Sequence, residues 1–331
     1  MRKVTTVVLA LGLMSGVVAG CGIPTGQSVN QKIQTHAQQL DEKNYQSEAM
    51  MTVQMDDNNQ TYYVKVSYES PEVYKIELGN QDKQIHQIIV HNQNGMFIVS
   101  PSLGKVFRFN GNWAQNQGQI YLYDQLLKQI SSKDVKMTRS GGTYQFTVPV
   151  TPASDTISSQ QVVLNKDLNP TSVSLLDKDG KAAVSLKYTS FKTGVQFQAN
   201  AFNPQSMVTD KETAKTTMTG DEQSFGSIEA KAMYGAKLTS SKQMSETSAL
   251  LRYTGAHNYL LQEWRPTQGA SATPDGQLVN MYGVPAMYSG NDQVGSLTWI
   301  DNGVEFSLTS NDLNLDQLEN VALSTLGQIG K

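Results

Sequence analysis

The chain contains one cysteine, Cys21, among its 331 residues. A single cysteine excludes an internal disulfide framework and any metal site built from several cysteines. Charged residues make up only 17% of the chain and form no basic block, so the electrostatic footprint of a nucleic-acid binder is missing. Hydrophobic residues, at 38%, can still fill a core, and the length suits about two domains.

Catalytic signatures are also lacking. The sequence has no G-x-S-x-G nucleophile turn, no H-E-x-x-H zinc motif and no glycine-rich phosphate loop. His86 and His91 lie five residues apart in a predicted strand and so face opposite sides, and His36 lies on the predicted N-terminal helix. The carboxylate pairs lie in turns, without the spacing of a catalytic or metal site. We therefore expect a protein that is not an enzyme, with no cofactor, no metal site and no nucleic-acid partner.

Residues 1–20 have the organisation of an export signal. Arg2 and Lys3 precede a mostly apolar stretch that ends at Val18. That stretch is shorter than the roughly 20 apolar residues of a membrane-spanning helix. The tetrad Val-Ala-Gly-Cys that follows ends at Cys21.

This tetrad resembles the lipobox of bacterial lipoproteins. The resemblance implies cleavage between Gly20 and Cys21, and acyl chains attached to the Cys21 sulfur as the anchor in the membrane. Two or three acyl chains anchor a protein stably. We therefore expect a lipoprotein on the extracytoplasmic side of the cell membrane. The alternative is an ordinary secretory signal that happens to precede a cysteine.

The mature chain divides into two units. After a tether at 21–27, a helix is predicted over 28–43, followed by antiparallel strands that alternate with period two, most clearly over 61–69. An amphipathic helix is predicted over 118–132, with Asp124 on its polar side, and strands then continue to 194–199. We assign 28–204 to the first domain, 205–226 to a linker, and 227–331 to a smaller α+β domain. The last helix, near 315–326, is predicted to be capped by Asp312.

The segment from Tyr63 to Trp113 resembles the LolA/LppX-like lipoprotein carrier superfamily. The residues that carry this resemblance are Tyr74-Lys75-Ile76-Glu77, Asn94-Gly95 and Lys105-Val106-Phe107-Arg108-Phe109. The arrangement as a whole is similar to membrane lipoproteins of spore-forming Firmicutes that are grouped with sporulation proteins. The resemblance implies an α+β fold: a half-open antiparallel β-barrel with a helical lid around an apolar cavity for acyl chains, plus a smaller C-terminal α+β domain.

Two sets of apolar side chains are the candidates for such a cavity. The candidate lining consists of Tyr62, Val64, Val66, Tyr68, Ile76, Leu78, Ile89, Phe97, Val99, Phe107 and Phe109. The candidate lid consists of Ile120, Tyr123, Leu126, Leu127 and Ile130. The same residues would equally form an ordinary packed core, with the helix burying its stripe for stability.

We therefore carry two hypotheses of different classes. In the first, the anchored half-barrel binds an acyl chain, a lipid or a lipidated partner by burying apolar surface, in sporulation or envelope biogenesis. In the second, it is a non-catalytic sensor or assembly module that docks an envelope protein.

Overall fold

The computed structural model describes residues 26–54, 59–101, 104–109, 120–131, 135–150, 156–208, 227–265, 276–291, 293–301 and 304–328. The predicted signal segment, Cys21 and most of the tether and of the linker lie outside these residues. In the described ranges, no helix is both long and apolar enough to cross a membrane.

The first unit is an eleven-stranded, wholly antiparallel sheet with two helices. Helix α1 spans Gly26–Asp41, and α2 spans Tyr123–Ile130. The strands are β1 (Tyr45–Val53), β2 (Gln60–Glu69), β3 (Val73–Gly79), β4 (Ile85–Asn92), β5 (Gly95–Ser100), β6 (Lys105–Phe109), β7 (Lys136–Ser140), β8 (Thr143–Pro149), β9 (Ser159–Leu164), β10 (Pro170–Leu176) and β11 (Ala182–Thr193).

The order of these strands explains the open shape. It runs β6-β5-β4-β3-β2-β1-β11-β10-β9-β8-β7, so the first and last strands of the unit pair at its centre. Strands β6 and β7, which are consecutive in the chain, end up at opposite edges, and the segment that carries α2 connects them. The sheet therefore stays open between β6 and β7, as a half-barrel requires.

The two faces of this sheet belong to two separate hydrophobic clusters. The inner face carries Tyr45 and Ala49, and their cross-strand partners Tyr68 and Val64, in one apolar cluster with both helices. The outer face carries a separate cluster on β4 and β5, covered by Phe202. Period-two alternation in β1, where every second residue from Tyr45 to Val53 is buried, produces this division.

The outer cluster corrects two sequence predictions. No strand covers the predicted 194–199. Strand β11 continues to Thr193, and Gly194, with a φ of +72°, then ends the regular pairing. The chain then crosses the outer face, where Phe197, Met207 and Val208 pack on the cluster. The first four residues of the predicted linker, 205–208, therefore belong to the packed structure.

The second unit is a seven-stranded antiparallel sheet with one helix, in the order β12-β13-β14-β18-β17-β16-β15. Its elements are β12 (Ala236–Ser245), β13 (Ser248–Gly255), β14 (Tyr259–Trp264), β15 (Gln277–Met281), β16 (Val284–Gly290), β17 (Gly295–Asp301), β18 (Val304–Ser310) and α3 (Leu315–Leu323). Sequence reasoning missed β12, β13 and β16. The predicted α+β class, with an open antiparallel sheet and a second domain, is confirmed.

The cap of α3 differs from the prediction. Asn314, not Asp312, forms the cap, and it makes a capping box with Gln317. Asp312 lies two residues earlier and accepts hydrogen bonds from the backbone and side chain of Asn258, both at 2.8 Å. It therefore ties the start of β14 to the segment that leads into α3.

The β15–β16 turn docks the second unit onto the first. Tyr282 and Gly283 form its two central residues, both with positive φ (+51° and +93°), as in a type I′ hairpin. The Tyr121 hydroxyl donates to the Gly283 carbonyl, and the hydroxyls of Tyr282 and Thr156 form a hydrogen bond with each other. Met51 lies against Gly283, so a side chain at that position would collide with it. Both units consequently share one continuous apolar cluster.

Candidate functional site

Most of the predicted cavity-lining residues do share the inner face. The strand registers place the following side chains on it: Tyr62, Val64, Val66, Tyr68, Ile76, Leu78, Ile89 and Phe107. The register extends to Phe109, whose side chain lies outside the described part of the chain.

The assignment of Phe97 and Val99 to this lining is wrong. Ile98 is the residue of β5 that pairs with Ile89 on the inner face. Phe97 and Val99 therefore point to the outer face, where they belong to the cluster under Phe202. The run Met-Phe-Ile-Val is apolar throughout because both faces of β5 are covered, so its composition does not reveal which residues face inward.

The described inner face is densely packed. Seven of the predicted lining residues expose only 0–7% of their surface: Val64, Val66, Tyr68, Ile76, Leu78, Ile89 and Phe107. All five predicted lid residues are fully buried. Burying each such side chain stabilises the fold by about 1.5–3 kcal/mol. An acyl chain would therefore need the lid to move away from the sheet.

A buried polar network lies beneath the lid. The Tyr45 hydroxyl donates to Asp124 Oδ1 at 3.0 Å and accepts from the backbone N–H of Tyr123 at 2.9 Å. Contrary to the prediction that Asp124 faces solvent, only 3% of it is exposed. Burial raises the pKa of this carboxyl, while the hydrogen bond from Tyr45 and the charge of Lys128 oppose the shift. Asp124 joins the lid to β1, a role that helical periodicity does not reveal.

Between the two units lies an open crevice of about 940 Å³, here called the intersheet crevice. Its buried and half-buried apolar residues are Met233, Tyr234, Tyr282, Leu323 and Leu326. Its charged residues, mostly exposed, are Asp177, Lys178, Asp179, Glu229 and Lys231. The crevice thus has an apolar floor and a charged rim.

Asn320 on α3 holds two tyrosines in the crevice floor. Its side chain donates to the Tyr234 hydroxyl at 3.0 Å and accepts from the Tyr282 hydroxyl at 3.2 Å. Both tyrosines have positive φ, +55° and +51°, which is uncommon for bulky residues. Backbone strain of this kind concentrates at functional sites.

A buried carboxyl lies next to these tyrosines. Glu319, also on α3, is 8% exposed. Burial, reinforced by the charge of Asp316, raises its pKa to about 8. Burial likewise raises the pKa of Tyr282, and the nearby charge of Glu319 adds to that shift. Glu319 itself does not line the crevice, but burial disfavours its charged form directly beside Asn320 in the crevice floor.

Sequence reasoning did not find the crevice. In the sequence, Asp177-Lys178-Asp179-Gly180 predicts a hairpin turn, and the last helix carries no functional motif. Crevice residues come from the β10–β11 turn, the ends of β1 and β2, the segment before β12, and α3. No local motif links segments so far apart in the chain.

The described residues form no cluster of three or more His, Cys, Asp or Glu side chains that could hold a metal ion. The arrangement of the crevice is that of a binding surface: an apolar floor that gains from losing contact with water, with polar groups that orient a ligand.

Comparisons with known proteins identify a similar curated protein and similar solved structures. The sporulation protein YdcC of Bacillus subtilis (strain 168) is 29% identical over 345 residues, covering 100% of both chains. Among solved structures, the MucA/MucB complex of Pseudomonas aeruginosa contains a similar chain (16% identity, TM-score 0.35), with 89% of this chain and 98% of that one covered. A LolA superfamily protein from Nitrosomonas europaea is also similar (11% identity, TM-score 0.30), with 52% and 96% covered.

A family model also matches the greater part of the chain. A model described as "Sporulation protein YdcC-like" matches residues 1–202, which include the predicted signal segment and the whole eleven-stranded sheet. The predicted relationship to sporulation proteins is confirmed, and the chain belongs to the YdcC-like family of sporulation proteins.

Proposed function

We propose that the mature protein is held on the extracytoplasmic side of the cell membrane by an acylated Cys21 and serves there as a non-catalytic docking module. Its partner is a protein of the envelope, bound in the intersheet crevice during sporulation. The observation that carries this proposal is the contrast between the two candidate sites: the described inner face is filled by its own lid, whereas the crevice is open.

The composition of the crevice suits a protein ligand. Its apolar floor can bury side chains of a partner, and its charged rim can orient them. Both units contribute to its walls, and the Tyr282–Gly283 turn holds the units together. The C-terminal unit supplies more than half of the described lining residues.

Photo-crosslinking in sporulating cells tests the docking. A photoreactive residue replaces Lys178, in the turn at one end of β10 that lines the crevice, and a control replaces Lys166, in the turn at the other end. We expect an adduct with one protein from position 178 and none from position 166.

A second pair of variants establishes that the adduct depends on the crevice. Ala183→Trp places a bulky ring in the crevice, and Thr189→Trp places the same ring at an exposed position of the same strand. The adduct should disappear in A183W and persist in T189W. An adduct that forms equally in both variants, or equally from position 166, would contradict docking in the crevice.

The anchor is tested separately. Cys21→Ala removes the thiol that accepts the acyl chains, so the variant should leave the membrane fraction and lose labelling by a clickable palmitate analogue. Cys21→Ser keeps a small polar residue at the position and serves as a second thiol-free variant. Retention of both variants in the membrane at the level of the natural protein would refute the lipid anchor.

Acyl-chain binding under the lid is a second candidate, favoured by one observation. The lid is tied to the C-terminal unit through the Tyr121 hydroxyl and the Gly283 carbonyl, so movement of that unit would loosen the lid. Native mass spectrometry of chain 22–331 with a long-chain and a short-chain fatty acid tests it. Saturable binding of one long chain supports the candidate, and binding of neither refutes it.

A further inference from the structure

A second cavity, of about 100 Å³, lies beside the intersheet crevice. The two cavities share Gln60 and Gly327, whose atoms are packed so closely that a side chain at Gly327 would collide with Gln60. Tyr62 and Gln87 line this pocket from the first sheet, and Asp301 lines it from the second. It therefore adjoins the crevice, with Gln60 and Gly327 between them, at the junction of the two units.

The Tyr62 hydroxyl is a buried polar group in this pocket. It has no hydrogen-bond partner among the residues that the structure describes. A buried hydroxyl without a partner costs free energy, and a water, an ion or a ligand that bonds to it removes that cost. Tyr62 thus offers both an oxygen acceptor and an aromatic ring to whatever enters the pocket.

The charge in the pocket is negative. The Asp301 carboxylate lies there and accepts a hydrogen bond from the Gly327 N–H at 2.8 Å. Burial raises the pKa of Tyr62 well above its usual value, and the negative charge of Asp301 adds to the shift. Burial lowers the pKa of His86, so this histidine is neutral at pH 7.

Neighbouring groups also make the electrostatic potential of the pocket negative. No lysine or arginine is among the described residues that line the pocket. Gly327 follows the C-terminal end of α3, where the helix dipole is negative. A cation is therefore favoured over an anion or a neutral group.

We propose that this pocket receives the charged end of one lysine or arginine side chain of the protein that docks in the crevice. The inference rests on the docking function proposed above and names the chemistry that the partner must present. At about 30 Å³ per water, the pocket holds about three waters, or the last few heavy atoms of one side chain. The cation would pair with Asp301, donate hydrogen bonds to the side-chain oxygens of Tyr62 and Gln87, and lie against the Tyr62 ring.

Small probes test the chemistry directly. N-acetyl-arginine methylamide and N-acetyl-lysine methylamide present the two cations, and N-acetyl-citrulline methylamide is the neutral isostere of the arginine probe. Saturation-transfer NMR on chain 22–331, which contains every described residue, measures their binding. We expect at least one cationic probe to bind about tenfold more tightly than the citrulline probe.

Three variants assign that binding to the pocket. Asp301→Asn should weaken the cationic probe about tenfold and Tyr62→Phe about fivefold, because each removes a partner of the charge. Asp167→Asn, which removes an exposed carboxylate in the β9–β10 turn, should leave binding unchanged. Since Tyr62→Phe removes only a hydroxyl without a described partner, this variant should stay folded even if Asp301→Asn does not.

Equal binding of the arginine and citrulline probes, or unchanged binding in both Asp301→Asn and Tyr62→Phe, would overturn the inference. The adduct at position 178 separates this failure from failure of the docking function. If the adduct forms while no cationic probe binds, docking stands and the pocket inference fails. If a cationic probe binds while no adduct forms, the pocket binds a free alkyl cation and not the side chain of a docked protein. This result overturns the inference that a partner supplies the cation.

Discussion

Tyr45→Phe tests whether the hydroxyl of Tyr45 holds the lid on the sheet. The ring is fully buried and stacks on Tyr68 with 4.8 Å between centroids, so phenylalanine keeps the packing. The variant removes the donor to Asp124 Oδ1 and the acceptor of the Tyr123 N–H. That N–H begins helix α2, where Leu122 provides no side-chain cap.

The magnitude follows from these two lost bonds. A hydrogen bond to a charged group contributes about 1.5–3 kcal/mol, and an unpaired backbone N–H adds about 1 kcal/mol. We therefore expect Tyr45→Phe to lower the free energy of unfolding by about 2.5–4 kcal/mol at pH 7. Urea unfolding of chain 22–331, followed by tryptophan fluorescence, measures the loss as a shift in midpoint at constant slope.

Tyr188→Phe is the matched control. This tyrosine also lies on the inner side of the first unit, but its buried hydroxyl has no partner among the described residues. Its removal should therefore leave stability unchanged or slightly increased. If Tyr45→Phe costs less than about 0.5 kcal/mol, or no more than Tyr188→Phe, the network does not hold the lid.

The pH dependence adds a second check. Burial places the pKa of Asp124 above its usual value in the folded state, so stability falls as pH rises through that pKa. The bond from Tyr45 opposes this shift, so its loss raises the pKa further. The cost of Tyr45→Phe should thus shrink as the pH is lowered, and Asp124→Asn in the same background should recover part of it. An equal cost at pH 4 and pH 7 would contradict this account.

Two further predictions concern the interface of the units. Burial and the charge of Asp316 raise the pKa of Glu319 to about 8, so the stability that this carboxyl contributes is complete below about pH 4.5 and declines toward pH 8. Glu319→Gln should flatten this decline when the free energy of unfolding in urea is measured against pH. An unchanged pH profile would contradict the burial of the carboxyl. Tyr121→Phe leaves the buried Gly283 carbonyl without this donor, so we expect a loss of about 1–3 kcal/mol and faster proteolysis at the β15–β16 turn, whereas unchanged stability and proteolysis would show that this bond does not hold the units together.

The local sequence pattern was sufficient to predict many of the strands and helices of the first unit. The alternation in β2 correctly predicted that Val64, Val66 and Tyr68 share one face, because side chains of a strand alternate with a period of two. The sequence pattern also predicts strands over 73–79 and 105–109, and these ranges are those of β3 and β6. The helix predicted at 28–43 corresponds to α1, which begins two residues earlier, at Gly26.

Prediction failed where a distant segment changed the environment. Phe97 and Val99 face outward because the chain near Phe202 covers that side of the sheet. Asp124 is buried because the Tyr45 hydroxyl reaches it from β1. Neither partner is a neighbour in the sequence, so no local periodicity reports its presence.

The sequence by itself determined the alternation of the strands, the amphipathic stripe of the lid, the lipobox resemblance and the relationship to sporulation proteins. These properties depend on residues close together in the chain. Only the tertiary structure decided that the lid closes the inner face and that an open crevice lies between the units. The crevice depends on how Tyr282 and Gly283 dock on Thr156 and Tyr121, more than a hundred residues away in the chain. Such contacts are decided by the free energy of packing the two units together, which no short segment of the chain contains.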